Sequence, residues 1–285
     1  MLEKVIYAVD FGDLQPLAVP CLARLRDAGC DELVLLHVAD ERRSLRGVPG
    51  LLRDDVRTCL REAVEVRINE WARACGDQGT DVRILHREGN VQWTDLCEAV
   101  RQEKASLVVL GPRPGHDAGP TAYFLMHSVR APLLILKVAD PSLPEPFGTE
   151  CSGLFSRVLI PTDWSECALR AEKRAIQLRK AGIKEIILVH VIEPDLSGTG
   201  KEEAETLASK RLARSRAELE KAGIKATTLL LEGDPAQAIS DAAEKEDASL
   251  IMMGSTGKSV TEEMLIGSVS EHVALTANRS VLLVH

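Results

Sequence analysis

Residues 250–268 read LIMMGSTGKSVTEEMLIGS: an apolar run, Leu250-Ile251-Met252-Met253, empties into glycines at 254, 257 and 267, with Ser268 directly behind the last. The run has the length and apolarity of a strand buried on both faces, the kind found in parallel sheets covered by helices. Glycine lets a backbone turn tightly and come close to a ligand. A helix opening at Ser268 aims unpaired amides at the same point and favours an anion there. The segment therefore reads as strand, phosphate-accepting loop and helix. It also contains Gly257-Lys258-Ser259, but a P-loop needs a glycine five residues before Gly257, and Met252 stands there.

The rest of the chain shows this plan twice. Val5-Ile6-Tyr7-Ala8-Val9-Asp10 returns as Val158-Leu159-Ile160-Pro161-Thr162-Asp163, and Leu33-Val34-Leu35-Leu36-His37-Val38 returns as Ile186-Ile187-Leu188-Val189-His190-Val191, both at the same spacing. Glu88-Gly89-Asn90 answers Glu232-Gly233-Asp234, residues 106–111 answer 249–254, and 132–136 answer 280–284. Such self-similarity marks a tandem duplication. Within each copy, short β-branched runs alternate with longer charged stretches of helical period, as in strands joined by crossover helices. In the second copy the strands are predicted near 157–161, 186–192, 226–231, 248–253 and 280–284. Gly182 and Gly223 stand where helix C-caps belong, and Asp234-Pro235 offers an N-cap with proline at the first helical position. The expected fold class is α/β, with two tandem, open, five-stranded parallel-sheet domains of Rossmann-like type. They span residues 1–138 and 157–285, and the Pro-, Gly- and Ser-rich stretch 139–156 is the linker.

Composition narrows the function. A formal charge of -8 without a Lys/Arg cluster argues against nucleic acid or an anionic membrane as partner. No run approaches the roughly 18 apolar residues of a membrane span, and the opening MLEKVIYAVD carries no signal-peptide pattern, so a cytoplasmic location is expected. The seven cysteines are scattered and never spaced as CxxC, which predicts reduced structural thiols rather than a disulfide frame or a zinc site.

In an open parallel sheet the ligand sits beyond the carboxyl ends of the strands, where strand order reverses. Three segments of the second copy converge there: Pro161-Thr162-Asp163, Val191-Ile192, and Gly254-Ser255-Thr256-Gly257. A nucleotide fits, with its base against the first two, its ribose near Gly254, and its phosphates on the amides of Gly257, Gly267 and Ser268. The pattern Gly-x2-Gly-x9-Gly-Ser, with a Pro-Thr-Asp first strand and a strand ending His-Val, resembles the universal stress protein family, and the likeness covers nearly the whole chain. The resemblance implies an adenine nucleotide alpha hydrolase-like fold whose two domains pack together through their last strands. It also implies ATP or AMP as ligand, with Mg as the ion that would accompany it. The contacts it assigns are Pro161, Thr162, Asp163, Val191, Gly254, Gly257, Gly267, Ser268 and Ser270, and Ser255, Thr256 and Val269 complete the loop and helix start. No catalytic residue and no metal ligand is assigned. The reading is a regulatory or stress-response protein that binds nucleotide. The alternative is a slow ATP hydrolase or a nucleotidyl-transferring enzyme of the same fold.

The first copy departs from the pattern. Gly119 follows Gly111 by eight residues where Gly267 follows Gly254 by thirteen, prolines at 112, 114 and 120 each remove an amide, and Ala8-Val9 replaces Pro161-Thr162. That copy is expected to support the fold rather than hold nucleotide. His37 and His190, matched within apolar strands, are expected to be satisfied structural histidines. Trp164 is read as a packing residue that can border the base. The last strand of each copy is expected to present an edge in need of cover, either within the chain or by forming a homodimer.

Overall fold

The computed structural model describes residues 2–9, 15–40, 46–77, 79–89, 92–111, 118–138, 151–192, 199–257 and 264–285. The first copy contributes β1 (Lys4–Val9), β2 (Glu32–Asp40), β3 (Asp81–Gly89), β4 (Leu107–Leu110) and β5 (Leu133–Ile135). The second contributes β6 (Arg157–Pro161), β7 (Glu185–Ile192), β8 (Lys225–Glu232), β9 (Leu250–Gly254) and β10 (Ser280–Val284). Between them run the helices α1 (Val19–Arg24), α2 (Arg53–Gly76), α3 (Gln92–Glu103), α4 (Gly119–Ser128), α5 (Glu166–Gln177), α6 (Thr199–Lys221), α7 (Pro235–Lys245) and α8 (Ser268–Thr276). No helix among the described residues is long and apolar enough to cross a membrane.

Local chemistry explains where the helices of the second copy start and stop. Ser165 caps α5 by accepting from the Ala168 amide at 3.2 Å, and Asp234 caps α7 by accepting from Gln237 at 2.9 Å, with Pro235 at the first helical position. After α5, a short 3-10 turn ends on Gly182 at φ 96°, a left-handed conformation that a side chain would strain. The buried faces of α5 and α7 are carried largely by alanine (Ala168, Ala171 and Ala175; Ala236, Ala242 and Ala243), which lets both helices lie close to the sheet.

The ten strands form one sheet in the order β3-β2-β1-β4-β5-β10-β9-β6-β7-β8. Every described neighbour pair is parallel except β5 and β10, which run antiparallel with Leu282 opposite Leu134. The two five-stranded sheets thus continue into each other across their last strands, and Ser280 secures the seam by accepting from the Lys137 amide at 3.0 Å. The edges expected to need cover are inside the molecule, and the open edges are β3 and β8. Those internal edges therefore give no reason for association with a second chain. Alternate strand residues feed two apolar layers, Val5, Tyr7, Val158 and Ile160 on one face and Ile6, Val34, Leu159 and Val189 on the other, each continuous through both copies.

The repeat extends to the amino ends of the strands. Ser106 accepts from the Lys4 amide and donates to the Lys4 carbonyl, and Ser249 does the same with Arg157. Lys4 and Arg83 each pair with Glu32 and Glu103 in the first copy, and in the second Arg157 pairs with Glu185 and Glu246 and Lys225 with Glu185.

One expectation is overturned here. Cys21 in α1 and Cys151 are joined by a disulfide across 130 residues. Their distance in sequence concealed the pair, because they meet only where a 3-10 turn at Cys151–Gly153 docks on α1 ahead of β6. Closing a loop of that length removes about 5 kcal/mol of disorder from the unfolded chain in the chain-entropy account. The other five cysteines are free, and all but Cys59 are buried.

Candidate functional site

In the second half the chain leaves β6 in one direction, toward β7 and β8, and leaves β9 in the other, toward β10, so strand order reverses between β6 and β9. The carboxyl ends of these two strands carry Pro161-Thr162-Asp163 and Gly254-Ser255-Thr256-Gly257, and the sheet brings the two segments into contact. A Cβ placed on Gly257 would stand 3.0 Å from Asp163 Oδ2. The Ser165 hydroxyl donates to the Thr256 carbonyl at 3.4 Å, and Thr256 Oγ1 lies 3.0 Å from Cys167 Sγ. Val191, one residue short of the end of β7, is partly exposed on the next strand over.

The twelve expected contacts divide by exposure. Pro161, Thr162, Gly254, Ser255, Gly267 and Ser270 are buried and build the frame. Thr162 is bonded on every side: its amide donates to Val189, its carbonyl meets His190 Nδ1 at 2.8 Å, and its hydroxyl accepts from the Trp164 amide at 3.2 Å. Ser270 donates to the Gly254 carbonyl at 2.8 Å. The Gly267 amide, expected to face phosphate, donates instead to the Ser255 carbonyl at 2.8 Å, which ties the end of the loop to its beginning. Asp163, Val191, Thr256, Gly257 and Val269 are partly exposed, and Ser268 is exposed. Beyond the strand ends lie the Asp163 carboxylate and the Thr256-Gly257 backbone, and the loop leads on to the start of α8. There Ser268, Val269 and Ser270 carry amides that an α-helix leaves without an internal partner. Lys258 and its neighbours to 263 lie outside the described residues, as do Asp10, Pro112 and Pro114 of the first copy.

Gly254 has a role that the loop motif alone does not suggest. A Cβ there would lie 2.6 Å from the Cys167 carbonyl carbon and 2.8 Å from the Ala168 amide, so the glycine is demanded by the first turn of α5 crossing the end of β9. Asp163 has two jobs on its two oxygens. Oδ1 accepts from the Ser165 amide at 2.9 Å, which shapes the turn ahead of the helix cap, while Oδ2 faces Gly257.

Trp164 follows with φ 61°, unusual for a bulky residue. Its ring lies tilted by 39° against that of His190, with centroids 4.1 Å apart, and carries Arg211 of α6 at 5.1 Å, a cation–π arrangement. His190 is bonded to Thr162, whereas His37 lies beside His86 of β3 with centroids 5.8 Å apart, and burial followed by that neighbour lowers its pKa to about 4.

Two residues near the site have no signal in the loop motif. Cys167 sits in the first turn of α5, with Arg170 Nη2 2.7 Å from its sulfur. Burial works to raise its pKa, but the bonds with Thr256 and Arg170 and the charge of Arg170 outweigh it and hold the thiol below its ordinary value. Its position four residues after Asp163, with an arginine one turn on, is the only cue in the sequence. Glu172 is buried behind Thr162, and burial raises its pKa against hydrogen bonds from Ser215 and Thr162. Among the described residues no partner reaches its Oε1. A raised pKa means the folded state holds the proton more tightly than the unfolded state, so the stability linked to this group is complete at low pH and is lost as pH rises through the raised value. Glu172→Gln is therefore expected to be more stable than the parent at neutral pH by about 1–3 kcal/mol. The gain should shrink toward the ordinary glutamate range. Thermal melts of both proteins from acid to neutral pH measure it, and equal stability at pH 7 would mean the carboxyl carries no penalty.

Comparison with known proteins agrees with this architecture. A universal stress protein of Methanocaldococcus jannaschii is 37% identical over 140 residues, which is 46% of this chain and 82% of that protein. Another from the same organism is 32% identical over 156 residues, covering 47% of this chain and 96% of the other. The crystal structure of a universal stress protein from Archaeoglobus fulgidus covers 100% of this chain and 98% of its own at a TM-score of 0.73 and 22% identity, a likeness of fold. The universal stress protein family pattern matches residues 1–137 and again 154–285, and the chain belongs to that family.

Proposed function

We propose that the second half binds an adenine nucleotide, ATP or AMP, and that the protein acts as a nucleotide-responsive regulator in the cytoplasm. The observation that carries this reading is the meeting, at the strand-order reversal, of the Asp163 carboxylate with Gly257, in a loop tied to the start of α8 by the bond from the Gly267 amide to the Ser255 carbonyl. A carboxylate on one side suits ribose hydroxyls, and a helix start on the other suits phosphate. The first half is the supporting copy: its α4 opens on Gly119-Pro120, and Pro120 has no amide to offer.

Mass spectrometry of small molecules released from the denatured protein, followed by titration with ATP, ADP and AMP, tests the proposal. One nucleotide per chain is expected. No binding of any of the three at millimolar concentration would end it, and two sites per chain would end the supporting role of the first half. Phosphate release is followed in the same samples, because the hydrolase alternative requires turnover. Ser268→Ala removes one hydroxyl bond to a charged group, worth about 1.5–3 kcal/mol, and is expected to weaken affinity roughly ten- to a hundredfold in that titration. Unchanged affinity would place the phosphates elsewhere.

A further inference from the structure

We infer that Cys21 and Cys151 form a reversible thiol–disulfide exchange site that reacts with low-molecular-weight disulfides, with Cys151 the sulfur attacked from outside and Cys21 the resolving partner. The assignment of roles comes from exposure. Cys21 lies within α1, only 2% exposed, whereas Cys151 is partly exposed on its 3-10 turn. An external reagent therefore meets Cys151 first.

The surroundings fit both states of the pair. Leu154 and Phe155, both buried, pack the turn into the same apolar layer as Ala18, Cys21 and Leu22, so opening the bond leaves the two sulfurs near each other for reclosure. The Leu17 carbonyl lies 3.3 Å from Cys151 Sγ and can accept from the thiol once it is reduced. The two other cysteines in this layer, Cys30 and Cys75, are 1% and 0% exposed, out of reach of an external disulfide, and burial raises their pKa to about 12 and about 11.

The chemistry balances in two displacements. The Cys151 thiolate attacks one sulfur of the reagent RSSR, breaking that bond, forming Cys151–S–S–R and expelling RS⁻. The Cys21 thiol then loses its proton to solvent and attacks Cys151 Sγ. The mixed disulfide breaks, and a second RS⁻ leaves. The two thiolates take up the two protons lost by the protein, which is oxidised by two electrons while RSSR is reduced to two RSH. Excess thiol reverses the sequence by attack on Cys151. The link between α1 of the first half and the segment that opens the second half is thus set by the thiol–disulfide balance around the protein.

The test uses the full chain, fully reduced and then exposed to glutathione disulfide, with peptide mapping under non-reducing conditions. In the parent, a Cys21–Cys151 crosslink is expected with no glutathione left on either residue. Cys21→Ser should trap one glutathione on Cys151, and Cys151→Ser should leave Cys21 an unmodified thiol. Exposed Cys59 takes up glutathione in all three proteins and serves as the internal standard. The parent should melt at a higher temperature oxidised than reduced, and neither serine variant should show that crosslink-dependent difference. A crosslink that never forms, or glutathione trapped on Cys21 rather than Cys151, would overturn the inference. Mapping and melting of the parent alone decide whether the crosslink exists, even where a variant folds poorly.

Discussion

Gly254→Ala is expected to destabilise the chain by about 3 kcal/mol or more, which at this size lowers the melting temperature by roughly 6–12 °C. The added methyl would lie 2.6 Å from the Cys167 carbonyl carbon, 2.7 Å from Cys167 Cβ and 2.8 Å from the Ala168 amide, and two of these three atoms are backbone. A flexible side chain could swing aside at little cost. A helix start held by the Ser165 cap and by the Ser165 bond to the Thr256 carbonyl has no such freedom. Nor can Gly254 retreat, because it is paired with Val284 of β10 and its carbonyl accepts from Ser270 of α8. The displacement would reach three elements at once, so nucleotide affinity should fall together with stability. Calorimetric melting of parent and variant measures the effect. A loss below about 1 kcal/mol would mean that α5 can move off the end of β9 without disturbing the core.

Strand and helix positions in the second half were legible because each boundary has its own chemistry: Asp234-Pro235 begins α7, Gly182 ends the turn after α5, and apolar runs fill both faces of a covered sheet. The convergence of Asp163 with Gly257 was legible too, since the carboxyl ends of parallel strands at an order reversal must face one another. The reason for each glycine was not. A one-dimensional motif does not distinguish a residue kept small for a ligand from one kept small for a crossing helix, and Gly254 belongs to the second kind. Gly267 is similar, because only three dimensions show its amide used on the Ser255 carbonyl. Glu172 is one charge among several along α5, and no spacing rule marks it as the buried one. Cys21 and Cys151 lie too far apart for spacing to carry information about pairing.

Gly257→Asp is expected to lower affinity for ATP and AMP by at least a hundredfold while leaving the fold in place. Gly257 is partly exposed, and among the described residues the one side chain its Cβ would approach within 4 Å is Asp163, whose Oδ2 would be 3.0 Å away. The steric cost to the fold is therefore small, in contrast with Gly254. The electrostatic cost to binding is large, because the new carboxylate stands beside Asp163 in the loop proposed to hold phosphate. Two unit charges a few ångströms apart repel by about 1 kcal/mol in water and about 4 kcal/mol at an effective dielectric constant near 20. A bound phosphate group would add that repulsion on its own side. Gly257→Ala separates the contributions, since it adds the methyl without the charge: Asp163 need shift only a few tenths of an ångström, and affinity should stay within about tenfold of the parent. If charge is the cause, the deficit of the aspartate variant should also narrow as salt is raised, since the position is within reach of solvent. Titration calorimetry of the three proteins at two ionic strengths, with circular dichroism as the check on folding, gives the answer. An aspartate variant that binds as tightly as the parent would move the phosphates away from Gly257, and equal losses in the alanine and aspartate variants would make the effect one of shape alone.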